Sequence, residues 1–559
     1  MKLQHQLAVA SRYIRTLRHL RFSQLRGQVI TRLKKQWRDP AKMLAGQPAS
    51  WKLSLHLMEL DLCPPVPAQD AEALARGTFC FVNQTANLGF PVDWSAKGMP
   101  RLWSYNLHYF DWLWSFLDER SKTEDERWES AKRLTHDWMI NHPPSKTAEG
   151  WEPYPVSLRL INWSLLYGVK HRDLVQQDEA FQLQLLESIG RQVKWLELNL
   201  ETHIQANHLL ENLAALVCVA CVFEGDEAYR VLSRYLPMLN REIDEQFLAD
   251  GMHYERSPMY HLRGLWLVEM LGAAGSPEVQ AAVSEVGGKM KRALGCLRHP
   301  DGEIAQFNDA AVGIYQDSWR TKPECGSWAL PEAGYYGYRN DEGDYLAIDA
   351  GALGPDHQPG HAHADYLSFE LSLRGKRVIT DTGIGTYEGG AARNYDRSTA
   401  AHNTLEVNGE SSAEVWGSFR VGRRVVPEVR TFEEREKGII FEAEHRGYLH
   451  LDCQGIHRRR VTWGEHSLGI VDELLVKKPA DVVGRIHLAP GITVTISGRT
   501  IQCTGEGISF SIEIDGDGEI GMETAVTHPE FGAAIDRTVV SVRERAIPPK
   551  VGWTTFIRW

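Results

Sequence analysis

The sequence predicts a chain of two dissimilar halves, mostly helical up to about residue 330 and antiparallel β after about 340. Two observations carry this: the hydrophobic period changes from 3–4 residues to two, and Leu330–Asp344 forms a junction rich in Gly and Tyr. A third bounds it. The 559 residues are 43% hydrophobic and 24% charged, which is globular composition and excludes a disordered or fibrous chain. At about 150 residues per domain, there is ample length for several cores.

The helical half is justified segment by segment. Apolar residues recur at helical spacing in Leu160–Tyr167, Phe181–Leu198, His208–Phe223, Ala228–Phe247 and Met259–Ala274. Short polar or Gly/Pro breaks separate them, as in helical hairpins stacked around an axis. In the second half, Tyr366–Leu373 alternates, turns at Arg374-Gly375-Lys376 and resumes to Asp381. Further strands are expected over Thr404–Val407, Gly438–His445, Arg459–Trp463, Leu468–Val471, Val482–Leu488, Ile492–Ser497 and Ile508–Ile514. Short strands between Gly, Asn and Asp turns predict antiparallel sheets in a sandwich. The domains expected are a basic helical segment over 1–40, a helical domain over 41–335 and a β-sandwich over 336–559.

Charge and cysteine usage narrow the function. The formal charge of −11 argues against general nucleic-acid binding. Residues 1–40 nevertheless hold ten Lys/Arg and one acid, Asp39. This segment can be a leading helix docked on its own acidic body, the reading favoured here, or a basic amphipathic helix on a membrane surface. It lacks an adequate apolar h-region and a small-residue cleavage site, so a cytoplasmic protein is expected, with the periplasm as the alternative. No apolar run of transmembrane length occurs. Eight scattered cysteines suit a reducing compartment, and the Cys218-Val-Ala-Cys221 spacing lies inside an apolar helix, where core packing is the expected role.

Eight of the 18 tryptophans fall between Trp94 and Trp163. Packing accounts for most of them. A carbohydrate cleft, where Trp and Tyr stack on the apolar faces of sugar rings, explains the excess better than packing alone.

Three clusters could carry chemistry. The first is His361-Ala-His363-Ala-Asp365 with Asp381 and His402-Asn403-Thr404. If His363, Asp381 and His402 converge, two imidazoles and a carboxylate suit Zn²⁺; polar residues in sheet turns explain the same pattern equally well. The second is Asn207-His208-x-x-Glu211, which helical spacing places near one face. A helix-end polar cluster would look the same. The third is Asp250 to His261, dense in hydrogen-bonding side chains, as a surface loop also can be.

Taken in order, these stretches resemble the heparinase II/III family of polysaccharide lyases and its alginate-lyase relatives. The matching motifs are Trp103-Ser-Tyr-Asn-Leu-His-Tyr-Phe-Asp111, Trp151 to Trp163, Asn207-His208-x-x-Glu211, Tyr254-Glu-x-Ser-x-x-Tyr260-His261, and His361-Ala-His363-Ala-Asp365 through His402-Asn403-Thr404. The resemblance implies an N-terminal incomplete (α/α) toroid followed by a C-terminal antiparallel β-sandwich. It implies that Asn207 and His208 bind and neutralise the substrate carboxylate, with Glu211 an acidic neighbour. Tyr260 matches the catalytic tyrosine, His361 an active-site histidine, and Tyr387 a second tyrosine in a more loosely patterned loop. His363, Asp381 and His402 match ligands of a structural zinc. Trp103, Tyr105, His108 and Arg159 are further substrate-binding candidates, and Arg393 and Arg397 are substrate or structural arginines without a firm role.

The implied reaction is β-elimination on an anionic, uronate-containing polysaccharide. Removal of the C5 proton and expulsion of the C4 oxygen need a neutralised carboxylate, a base and an acid. Two alternatives stand beside it. One is a carbohydrate-binding or polysaccharide-assembly protein without turnover on the same fold. The other is a zinc hydrolase in which the metal set activates water.

Overall fold

The computed structural model describes residues 2–37, 44, 51–54, 64–118, 124–315 and 323–559. The expected boundary at 40/41 lies outside the described residues. The chain folds as two compact units, one comprising Arg21–Gln246 and Arg263–Gly288, the other Met1–Leu20, Phe247–Leu262 and Lys289–Trp559.

The first unit is helical. Its helices Pro153–Trp163, Glu179–Leu198, Ala206–Val222 and Asp226–Gln246 coincide with the predicted segments to within a few residues, the largest difference falling at Pro153–Trp163. Asp226–Gln246 buries Ala228, Val231, Tyr235, Leu239 and Ile243, a single stripe at three- and four-residue spacing. Ala206–Val222 is apolar nearly all round and accordingly buried nearly all round, Cys218 included.

The tryptophan excess is a packing feature of this unit, not a cleft. Trp94, Trp103, Trp112, Trp114, Trp128, Trp138, Trp151 and Trp163 are all at most 5% exposed. Phe110 sits among them, stacked on Trp94 at 5.6 Å and edge-on to Trp138 and Trp163 at 5.8 and 5.3 Å. Burying indoles requires partners for their N–H groups. Trp94 donates to Asp137 (2.8 Å), Trp112 to the Leu107 carbonyl (3.0 Å), Trp114 to Asn162 (3.0 Å) and Trp151 to the His142 carbonyl (3.1 Å). Such rings fill space and satisfy polar groups together, which leaves no face for a sugar.

The second unit is built on antiparallel sheets, as predicted. A five-stranded sheet runs in chain order through Gly326–Leu330, Tyr335–Arg339, Tyr345–Asp349, Phe369–Leu373 and Lys376–Ile379. An eight-stranded sheet contains Gly438–Tyr448, Gly455–Gly464, Ser467–Leu475 and Ile508–Asp515, and a four-stranded one contains Leu405–Val407 and Ala480–His487. Ser467–Leu475 alternates strictly between buried and half-buried residues, the period-two pattern expected of a strand with one covered face. Tyr345–Asp349 and Phe369–Leu373 are buried throughout, because both of their faces are covered. The predicted turn at Arg374-Gly375 has both residues at positive φ, 49° and 81°, as a tight hairpin requires.

The expected boundary at 335/336 falls inside this unit. Met252, Ala293, Leu297 and Phe307 share one apolar cluster with Trp328, Tyr335 and Tyr345 of the five-stranded sheet. Shared burial of those side chains assigns 247–262 and 289–335 to the β-rich unit. The unit also includes α1 (Lys2–Leu17), docked through Arg12 and Arg15 on Glu414. No described helix is long and apolar enough to cross a membrane. The described cysteines are free thiols.

Candidate active site

Tyr260 is placed by the start of a helix. Arg256 takes a left-handed φ of 59°, held by its own guanidinium on the Ala333 carbonyl (2.9 Å) and by Tyr335 donating to the Arg256 carbonyl (2.5 Å). The chain then enters the helix Pro258–Ala274, with Ser257 accepting from the Tyr260 N–H (3.3 Å) and Pro258 first in the helix. Ser before Pro at this point is a standard helix start, since Pro needs no N–H partner there. Ser257 also donates to the Asp309 carbonyl at 2.6 Å.

Three sequence-predicted residues meet in the β-rich unit. The Tyr260 and Tyr387 hydroxyls are 2.7 Å apart, within a hydrogen bond. The Tyr260 ring lies on the His361 imidazole with centroids 4.1 Å apart. Phe419 and Phe531 pack against Tyr387 at 5.4 and 4.9 Å. Burial, and after it the charge of Asp309, holds the Tyr387 phenol well above its ordinary range, so it is a neutral hydrogen-bonding hydroxyl at neutral pH. Glu255, 2% exposed, brings a carboxylate oxygen to 3.5 Å from His361 Nε2.

The residue that organises this group is Asp309, which the motifs did not single out. It is fully buried and accepts four contacts. His361 Nδ1 lies 2.8 Å from Oδ2 and His363 Nε2 lies 2.8 Å from Oδ1. Arg393 grips both oxygens, through Nη2 at 2.8 Å and through Nη1. Burial alone would raise the Asp309 pKa, but the Arg393 charge and the histidine and arginine hydrogen bonds hold it well below the carboxylate range. An ionised Asp309 makes the proton on His361 sit at Nδ1, which leaves Nε2 for chemistry. The backbone stitches the same loops, with Asp309 N–H on the His361 carbonyl (2.9 Å) and His363 N–H on Asn308 (3.0 Å).

Of the two roles open for Arg393 and Arg397, their contacts favour the structural one. Both are at most 1% exposed. Arg397 donates to the carbonyls of Ala362 (3.0 Å), Gly417 (3.0 Å) and Arg420 (3.3 Å), fixing the loop that carries His361.

His363, Asp381 and His402 are all buried, each with a ligand atom within 4.8 Å of the others. Their chemistry fits a divalent ion. His363 Nδ1 and His402 Nε2 are buried nitrogens without a hydrogen-bond partner, costly to leave idle. His363 is turned by Asp309 at its other nitrogen, the outer contact expected behind a metal-binding imidazole. Burial drives the His363 pKa down to about 4, so the ring is neutral and able to coordinate. Burial, and then the charges of Asp349 and Asp381, pushes Asp365 well above the carboxylate range. A cation would relieve that crowding.

Asn207, His208 and Glu211 belong to the helical unit. Asn207 and His208 are half-buried on the first turn of Ala206–Val222. The two residues before them, Gln205 and Ala206, have φ of 66° and 51°, a left-handed pair without glycine. Strain of that kind is retained where a site needs it. His208 Nδ1 contacts Glu201 at 3.0 Å, and its ring meets Tyr154 at 4.5 Å. Glu211 is spent on Arg263, with contacts of 2.7 and 3.1 Å at 1% exposure, so it is not available to substrate.

Three further candidates of this unit are structural as well. Trp103 is fully buried and donates to the Gln84 carbonyl at 2.8 Å. His108, 1% exposed, lies 3.1 Å from the Trp94 carbonyl. Arg159, fully buried, lies over Trp138 at 4.0 Å and donates to Gln192 (2.9 Å) and the His108 carbonyl (3.0 Å). Tyr105 is half-buried and donates to Glu152.

Comparison with known proteins adds the following. A model described as "Heparinase II/III N-terminus" matches residues 69–322, and one described as "Heparinase II/III-like, C-terminal" matches 322–554. A heparin-sulfate lyase of Pedobacter heparinus is 25% identical over 57% of this chain and 53% of its own. A heparin-sulfate lyase of Bacteroides stercoris is 24% identical over 48% of this chain and 44% of its own. The chain thus spans about half the length of these curated lyases. FtsZ-localized protein C of Caulobacter vibrioides is 24% identical over 88% of this chain and 80% of its own. Among solved structures, a heparinase III superposes with a TM-score of 0.72 at 15% identity, covering 92% of this chain and 88% of that one. The fold is thereby that of the heparinase III structures, helical toroid followed by β-sandwich.

Proposed function

The chain belongs to the heparinase II/III family, and from that membership we propose that it is a polysaccharide lyase cleaving a uronate-containing glycan by β-elimination. The heparin-sulfate lyases among its relatives support a glycosaminoglycan as the substrate class. The observation that carries the reading is the hydrogen-bonded Tyr260–Tyr387 pair with His361 packed against Tyr260.

The chemistry follows from those groups. The C5–H bond breaks and its proton passes to a base; the C4–O bond breaks, the C4–C5 double bond forms, and the leaving oxygen takes a proton. Tyr260 is suited to protonate the leaving oxygen. The base is His361 or Tyr260 itself, according to the face on which the C5 proton lies; Tyr387, the third candidate, is held as a neutral phenol and is the poorest base of the three. Asp309 holds His361 with Nε2 available. The carboxylate must be neutralised for C5–H to become acidic, and this is the role proposed for Asn207 and His208, whose helix N-terminus favours an anion. Zn²⁺, held by His363, Asp381 and His402, would supply a fixed positive charge that anchors the loops carrying His361 and Asp381.

A second reading is favoured by one observation. FtsZ-localized protein C matches more of this chain than either lyase does, and its name records a location, not an activity. A non-degradative protein on the same fold fits that match. The two readings are separated by a panel of uronate polymers and oligomers assayed for new ultraviolet absorption from unsaturated ends. A lyase produces the chromophore on at least one polymer, and Tyr260→Phe abolishes it. No chromophore across heparan, chondroitin, hyaluronan and alginate substrates would leave the second reading standing. Saturated, metal-dependent products would instead mark a hydrolase.

A further inference from the structure

The helix α2 (Phe22–Trp37) is mounted the wrong way round for a soluble protein. Its docked face is polar and small. Gln24 is 2% exposed and reaches the Ile204 carbonyl at 3.5 Å. Gly27 lies so close to His203 that an added Cβ would stand 2.8 Å from the His203 Cβ. Ser23 accepts from Gln205 at 2.9 Å, and Arg21, just before the helix, pairs with Glu245.

The opposite face is apolar and open. Phe22 is 80% exposed, Val29 57%, Leu33 53% and Leu25 41%. These positions are i, i+3, i+7 and i+11, one stripe at 100° per residue. Arg26 and Arg32, both exposed, fall on either side of it. The helix also contains Lys34 and Lys35 and has no acidic residue.

An apolar stripe edged by cations, lying along a helix instead of buried under it, matches the chemistry of one partner. We propose that α2 docks the protein on an anionic lipid bilayer, with Phe22, Leu25, Val29 and Leu33 in the boundary between headgroups and acyl chains and Arg26 and Arg32 on the lipid phosphates. The helix lies on the membrane and does not span it; no described helix is long and apolar enough to cross. A second copy fits less well, because two such faces would bring like charges together. The inference rests on the stripe alone and is independent of the lyase reading.

The test is co-sedimentation of the full chain with vesicles of phosphatidylcholine alone or with about one third phosphatidylglycerol. Binding is expected to the second and not the first, and to fall when added salt screens the charges. V29E/L33E changes two exposed side chains, so its unfolding midpoint should match the parent. It is expected to lower partitioning on the order of tenfold or more. R26E/R32E should weaken binding to the anionic vesicles without changing fold. No binding to anionic vesicles overturns the proposal, as does binding that V29E/L33E leaves unchanged. A dimer seen by light scattering, dissolved by V29E/L33E and indifferent to lipid, would overturn it in favour of a second copy.

Discussion

Tyr260 and Asp309 make separable predictions. Tyr260→Phe removes one oxygen from a pair whose other member, Tyr387, stays packed between Phe419 and Phe531. Turnover is expected to fall about 10²–10⁴-fold, with oligosaccharide binding and the unfolding midpoint nearly unchanged; near-parental cleavage would refute the role. Asp309→Asn leaves the buried Arg393 without its anion and gives two histidines an amide in place of a carboxylate. A loss of about 3–5 kcal/mol is expected by denaturant unfolding. Arg393→Lys, which keeps the charge and loses the fork, should cost less. Equal stability in parent and Asp309→Asn would remove Asp309 from its organising role. Tyr260 and His361 were nominated because each stands in a motif that resembles the family's. Asp309 was not, because its side-chain partners are 52, 54 and 84 residues away and nothing local marks it. The roles of the arginines stayed open for a related reason. Arg159, Arg393 and Arg397 are of a type expected at surfaces, and only their full burial against carbonyls and rings reveals a structural role.

Among elements, α1 gives a pH prediction. It is tied to the β-rich unit by Arg15 and Arg12 on Glu414, and by Trp416 donating to Thr16 at 3.1 Å. Burial works to raise the Glu414 pKa, but the Arg15 hydrogen bond, the Arg423 N–H and Arg12 outweigh it and hold it at about 2, against an ordinary 4.5. A depressed carboxylate contributes its stability above the unfolded pKa and loses it as pH falls through the folded value. The α1 anchor is therefore complete above about pH 5 and disappears toward pH 2. Comparing the parent with Glu414→Gln checks this. A gap in unfolding midpoint is expected near neutrality, closing as pH falls to the folded value; a gap that is constant with pH would contradict it. Helices and strands themselves were readable, since periods of 3.6 and two follow directly from which residues face a core. The aromatic stretch 94–163 was readable as mostly core, and only its excess was assigned to a cleft, because composition does not say which way a given ring points.

For the whole molecule, the units cut across the sequence order. The β-rich unit takes in Phe247–Leu262, the segment that carries Tyr260, together with its own 289–559. This places Tyr260 in the same unit as His361 and Tyr387, and gives the candidate acid and base a common rigid support. The proposed metal belongs at this scale, because His363, Asp381 and His402 come from three separate segments of the unit. Elemental analysis is expected to find about one zinc per chain. Chelation should lower the unfolding midpoint, and His402→Ala should abolish both the metal and the effect of the chelator. Unchanged stability on complete removal of bound metal would end the structural assignment.

Periodicity, turn chemistry and motif order were sufficient to determine a helical half followed by antiparallel sheets, because each is a short-range property of neighbouring side chains. They also sufficed to nominate Tyr260, His361, His363, Asp381 and His402. Tertiary structure alone decided which polar groups are spent on the protein itself. A buried charge has to be matched wherever the folded chain brings a partner, and that distance in sequence leaves no local trace. Hence Glu211 went to Arg263 and Arg393 to Asp309.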